Sequence, residues 1–314
     1  MATAAPTSSP ATVAVARALH GRRADWRGIA FQGALLATLV TALVILTVLI
    51  TDVIRTGMPV FRDRGVDFLR SDLSSFPIRA GVWQGIVGSV SMMIFVVLIA
   101  FPLGIGAAVY IEEYARDTRV TRFINANIRN LAGVPSIVYG LLGLAIFVKL
   151  LGSITGPNVE GRSLISAGLT LAIMVLPIVI ITSAEALRAV PQGIREAGYG
   201  VGATRWEVIR SHVLPYAAPG ILTGTVLSLA RAMGETAPLI LVGATTGFLG
   251  SNASFFESFS ERFTALPIII FRWASLPDER FRALTGAAIM VLLAVLLLMN
   301  SFAIVLRNRY DRKW

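Results

Sequence analysis

Residues Glu185–Glu235 read EALRAVPQGIREAGYGVGATRWEVIRSHVLPYAAPGILTGTVLSLARAMGE. A polar stretch with two short-helix signals runs directly into a long apolar run. Arg231 and Glu235 stand deep inside that run. Ionisable side chains within a membrane span face the interior of a helix bundle or a water-filled path. A surface contact segment joined to such a pair is the pattern of a gated pore.

The bulk composition agrees. Of 314 residues, 55% are hydrophobic and 15% are charged, against roughly 25% charged in a soluble domain. The net charge of +10 would suggest nucleic acid in a soluble protein, so it must be tested against membrane topology first. There is no cysteine, which excludes disulfides and thiolate chemistry. Neither lysine, Lys149 or Lys313, lies in a Walker A loop, so no nucleotide is cradled by that route. The two histidines, His20 and His212, form no HExxH metal motif. A self-contained ATPase or metalloenzyme is therefore not expected, and no cofactor or metal site is assigned to this chain.

Six apolar runs are long enough to cross a bilayer, near 29–51, 82–110, 131–151, 164–184, 215–246 and 284–306. The expected fold is an all-α polytopic membrane protein with six transmembrane helices. The first run is longer than a signal-peptide core and lacks a clear cleavage site, so it reads as a retained span. With both termini inside, the inner segments hold 16 basic and 8 acidic residues and the outer segments 11 and 9. That asymmetry favours cytoplasmic termini and accounts for most of the net charge without nucleic acid. Residues 1–28 read as a disordered cytoplasmic tail, 29–306 as the membrane domain, and 307–314 as a basic cytoplasmic tail. Residues 52–81 read as a mixed-charge outer connector. The inner loop Ile111–Arg129 sets Glu112, Glu113 and Asp117 beside four arginines. Leu266–Phe271 is too short to span and is expected to lie at the interface or to re-enter. Its outer segment, 247–283, carries Phe255, Phe256, Phe259, Phe263, Phe271 and Trp273, which suits a membrane surface or a docking partner.

The polar stretch resolves into two helices. Pro191 suits a first helical position, and Gly198, Gly200 and Gly202 end the helix it starts. Thr204 and Glu207 have capping-box spacing, so a second helix starts at Thr204, presents Trp206, Ile209 and Val213, and ends before Pro215. The unit lies across the membrane surface. Its exposed apolar and basic residues await either a partner protein or lipid headgroups.

REAGYGVGATRWEVIRSHVLP resembles the EAA loop of ABC-importer permeases, the coupling helix that docks into a groove on the ATPase subunit. Glu196, Ala197, Gly202 and Pro215 fall on its motif positions. Gly198, where a second alanine is usual, and His212, where an aliphatic residue is usual, depart from it. PLGIGAAVYIEEYA (102–115), NLAGVPSIVYGLLGL (130–144), ARAMGETAPLILVGA (230–244) and FTALPIIIFRW (263–273) resemble the phosphate-specific transport (Pst) permeases, the PstA type more than the PstC type. The resemblance implies a MetI-like permease fold in the bacterial inner membrane, with residues 191–215 as coupling segment, Trp206 included. It implies half of a pore for inorganic phosphate, completed by a PstC-like second permease. It also implies two PstB-like subunits that bind ATP and magnesium, and a periplasmic PstS-like binding protein.

Arg231 and Glu235 are four residues apart, so they share a helix face. Arg231 lies roughly 24 Å along that helix from Pro215 at 1.5 Å per residue. Placing it near the bilayer centre costs about 2.5–3.5 kcal/mol. Either the pair neutralises itself, or Arg231 faces the path and meets the anion while Glu235 steadies it. Alternatives at the level of the chain are a permease for sulfate or molybdate, and a non-transporting scaffold or sensor that recruits a regulator.

Overall fold

The computed structural model describes residues 26–155, 160–244 and 262–310. Most of the expected tails lie outside these residues, as do Phe255, Phe256 and Phe259. Among the described residues all regular structure is helical, and six helices are long and apolar enough to cross a membrane.

The chain divides into two units, Met1–Asp52 and Val53–Trp314. The described part of the first belongs to α1 (Trp26–Arg64), and its apolar side chains are exposed throughout. The hydroxyls of Thr38, Thr41, Thr47 and Thr51 each donate to a carbonyl three or four residues back. The helix therefore offers lipid no unsatisfied side-chain hydroxyl at these positions. Contrary to expectation, α1 does not give way to a connector near residue 52 but stays helical to Arg64. The reason is packing against residues distant in the chain. Gly57 meets the backbone of Gly286–Ala287, where a Cβ would come within 2.5 Å of the Ala287 nitrogen. Val60 joins a buried cluster with Phe68 of the short α2 (Val66–Arg70), Trp273 and Phe281.

The second unit is built around α7 (Leu164–Arg188), the most buried span. It packs between α3 (Trp83–Val109) and α10 (Leu214–Gly234). Small residues set these distances, as close helix approach in a membrane requires. A Cβ on Gly104 would come within 2.6 Å of Val179, and one on Gly224 would run into the Thr182 side chain. Span three is α5 (Ser136–Gly143), continued by a π turn, Leu144–Val148, and α6 (Lys149–Thr155). Gly143 lets it close on Thr170 of α7. Before it, α4 (Arg119–Ala132) is amphipathic with no buried residue, and the chain breaks at Gly133–Pro135. The Tyr139 hydroxyl donates to the Leu131 carbonyl, 2.8 Å away, which also accepts from the Val134 N–H at 3.1 Å.

The fifth apolar run, expected as one span over 215–246, is broken. Pro238 has no N–H for the Gly234 carbonyl and its ring would clash there. So α10 stops at Gly234, Glu235 is extended (φ −77°, ψ 126°), and a short α11 (Ala237–Val242) restarts the helix. Gly243 ends α11 at φ 100°. α11 leans on span three through Gly140, where a Cβ would meet Pro238 Cα at 2.7 Å. The Leu266–Phe271 stretch opens α12 (Leu266–Ala274), which is driven into the core rather than lying on the surface. Leu266, Pro267, Ile268, Ile269 and Trp273 are buried. Its first N–H donates to buried Ser89 Oγ at 2.9 Å. The last span is α13 (Glu279–Tyr310).

Candidate functional site

The segment after α7 folds into α8 (Gln192–Gly200) and α9 (Arg205–Val208). Pro191 is the residue before the first turn, not within it. At the end of α8, Ala203 N–H donates to the Gly198 carbonyl and Gly202 N–H to that of Tyr199, at 3.2 and 3.0 Å. This six-to-one, five-to-two pair is the Schellman arrangement, and it places Gly202 at the left-handed position, where φ is 84°. The expected capping box is present. Thr204 Oγ1 accepts from Glu207 N–H, and Glu207 Oε2 accepts from Thr204 N–H at 2.8 Å.

The second helix does not end before Pro215. Through a π turn, Ile209–Val213, α9 joins α10 as one helical run, Arg205–Gly234. The wide turn takes Leu214 N–H to the Ile209 carbonyl, five residues back. Pro215, which has no N–H to donate, follows directly after this wide turn.

The residues expected to contact a partner are outward. Glu196, Ala197, Gly202, Trp206 and Pro215 are all exposed, as is Val201 between them. The inner side of the same segment is buried: Val208, Ile209 and Val213 pack with Leu187 and Val190. Gly198 belongs to that inner side. A Cβ there would sit 2.7 Å from Val208 Cγ2, so packing against Val208 explains why glycine replaces the usual alanine. His212 is exposed.

The structure also assembles a cluster that sequence reasoning left scattered. The second span ends in a π turn, Tyr110–Tyr114. Glu112 accepts from Arg188 Nε at 2.8 Å and Nη2 at 2.5 Å. Glu113, only 4% exposed, accepts from Arg195 Nη2 at 2.6 Å and Nε at 3.2 Å. Arg195 further donates to the carbonyls of Val190 and Leu187, at 2.8 and 2.9 Å. The Arg205 guanidinium lies 5.0 Å from the Tyr114 ring centroid. Glu112, Glu113, Arg188, Arg195 and Arg205, with Gln192, Glu196 and Tyr199, line an open cavity of about 370 Å³. The two adjacent glutamates at the end of an apolar run were the available sequence signal.

Arg231 and Glu235 do not share a helix face, because α10 ends between them. They still approach, Nε to Oε1, at 3.6 Å, beyond hydrogen-bond length. The Arg231 side chain is 44% exposed and that of Glu235 is 18%. Arg231 makes no hydrogen bond among the described residues and lies within electrostatic reach of Tyr139. The contrast with Arg195 is direct: one arginine is spent on internal carbonyls and a buried carboxylate, the other is held loosely.

Residues 100–313 match the family of binding-protein-dependent transport system inner membrane components. A probable ABC transporter permease protein, YqgI of Bacillus subtilis, is 32% identical over 72% of this chain and 78% of its own length. The phosphate transport system permease protein PstA of Mycobacterium leprae is 36% identical over 68% of this chain and 67% of its own. PstA of Pasteurella multocida is 35% identical over 72% and 75%. Among solved structures, a bacterial ABC transporter that imports the acidic polysaccharide alginate aligns with a TM-score of 0.63 at 18% identity, over 91% of this chain and 99% of that one. That likeness is one of fold. With its six apolar helices and the matched segment over more than half its length, the chain belongs to the binding-protein-dependent transport system inner membrane components, as a multi-pass permease subunit and not an enzyme.

Proposed function

We propose that this permease forms half of an inward pore for inorganic phosphate, paired with a second, PstC-like permease. Separate PstB-like subunits hydrolyse magnesium–ATP, dock on residues 191–215 and drive the pore between its two openings. A PstS-like binding protein delivers phosphate from outside, and both termini lie in the cytoplasm. Relatedness to PstA proteins of several bacteria supports the cargo.

The observation that carries the role of the site is the loose Arg231. It stands at the break of the fifth span, half exposed, 3.6 Å from a carboxylate and with no hydrogen bond among the described residues. A guanidinium stays charged and matches phosphate oxygens with two parallel N–H donors. Broken helices commonly mark substrate sites in membrane transporters. Glu235 steadies Arg231 when the path is empty and competes with the anion, so that binding stays weak enough for release. The outward face of Glu196, Ala197, Gly202 and Trp206 suits docking of an ATPase groove.

The test is reconstitution of the chain with its native partners in proteoliposomes. Phosphate-dependent ATP hydrolysis and labelled phosphate uptake are expected, with sulfate and molybdate in excess leaving uptake unchanged. Equal competition by either oxyanion would refute the assignment of cargo.

A further inference from the structure

Three consecutive residues of the π turn at the end of the second span are each gripped by a different arginine of the segment around the coupling helix. Glu112 is held by Arg188 at the end of α7. Glu113 is held by Arg195 in the middle of α8. Tyr114 is covered by Arg205 at the start of α9. A wide turn rotates successive side chains differently from an α-helical turn, and here it serves three partners at once. Arg195 is the centre. Its three donors reach Glu113 and the carbonyls of Leu187 and Val190 just where α7 ends, the first of which also accepts from the Val190 N–H. Charges this buried persist only when fully paired, so the contact behaves as a fixed joint rather than a sliding surface ion pair. The apolar residues beneath it are buried as well: Leu187, Val190, Val208 and Ile209 pack with Ala108 and Val109 of α3.

We propose that Glu112, Glu113 and Tyr114 form a clamp that makes the coupling segment and the inner ends of the second and fourth spans one moving body. A push on α8 then reaches the spans through Arg195 and Arg188 and not only along the chain, through residues 189–191 on one side and the helical run that starts at Arg205 on the other. Glu113 and Arg195 are positioning residues: they touch neither cargo nor nucleotide. The inference rests on residues 191–215 receiving the motion of the ATPase.

The test uses the assembled complex in proteoliposomes and reads phosphate moved per ATP hydrolysed. Glu113→Gln keeps the shape of the joint and removes its charge. The expected result is normal recovery of the ATPase subunits with a transport ratio lowered about fivefold or more, the lower bound of a typical coupling energy. A ratio equal to wild type overturns the clamp. If Glu113→Gln fails to assemble, the more exposed pair decides. Glu112→Arg and Arg188→Glu each lower the ratio, and the two together restore it. Singles without effect, or a double no better than the singles, overturn the clamp. A wild-type complex that moves no phosphate refutes the cargo instead. The clamp is then read from ATP hydrolysis stimulated by the binding protein, which Glu113→Gln lowers if the clamp holds and leaves unchanged if it does not.

Discussion

Replacing Arg231 with lysine separates charge from geometry at the break in the fifth span. The side chain is 44% exposed and contacts only Glu235, at 3.6 Å, among the acidic groups described. Its loss therefore removes no packed core and breaks no internal hydrogen bond among the described residues. A bidentate guanidinium–phosphate contact comprises two charge-assisted hydrogen bonds. Each contributes about 1.5–3 kcal/mol. Lysine keeps the point charge but gives up the second parallel bond. At about 1.4 kcal/mol per factor of ten, Arg231→Lys should slow uptake of labelled phosphate roughly 10- to 100-fold, and Arg231→Ala at least as much. The complex should still assemble, as judged by copurification of the ATPase subunits. Arg231→Ala in a verified assembled complex with uptake within about twofold of wild type, far inside that range, would show that the pair only neutralises itself.

Glu196→Lys reverses the one outward carboxylate of α8 and should abolish copurification of the ATPase subunits while the membrane domain stays monodisperse; normal recovery would move the docking surface elsewhere. Gly202→Val forces a β-branched side chain to φ 84°. It should destabilise the turn by at least about 1–2 kcal/mol, with Gly202→Asn milder, measured as weaker binding of the ATPase subunits. Gly143→Ala places a Cβ 2.1 Å from Thr170 Oγ1 and should cost about 1–3 kcal/mol by overpacking. Its thermal unfolding in detergent should recover in part in the Gly143→Ala, Thr170→Ala double variant, and an additive loss would refute the contact.

What was legible in the sequence was what neighbouring residues decide. Apolar runs marked the spans, since each buries or exposes its own side chains. Thr204 and Glu207 fixed the start of α9 because a capping box needs only four residues. Pro238 is visible as a residue that breaks hydrogen bonding inside a span, but so are Pro102 and Pro177, which stay inside continuous helices; that only the fifth span breaks, at Glu235–Thr236, was hidden. The helical extension to Arg64 was hidden because its stabilising contact, Gly57 on Ala287, joins distant parts of the chain. The same holds for Glu112 with Arg188 and Glu113 with Arg195, separated by 76 and 82 residues. Adjacent acids and scattered arginines were visible, but a single sequence does not say which meets which. At the site itself, Arg231 and Glu235 were legible as charges in an apolar run, and the loss of their shared helix face was not.

The uninterrupted run from Arg205 to Gly234 gives the molecule a mechanical advantage. Arg205, at the end proposed to dock the ATPase, and Arg231 lie on one helical run, about 39 Å apart along the axis at 1.5 Å per residue. Tilting such a rod by roughly 10° about its docking end sweeps the far end through about 7 Å by the same rise per residue. A guanidinium reaches an oxygen at about 2.7–2.9 Å, so a swing of that size carries Arg231 from contact to clear separation. Under the proposed function, a modest angular displacement at the ATPase-docking end is thus enough to bring Arg231 to an anion and to withdraw it.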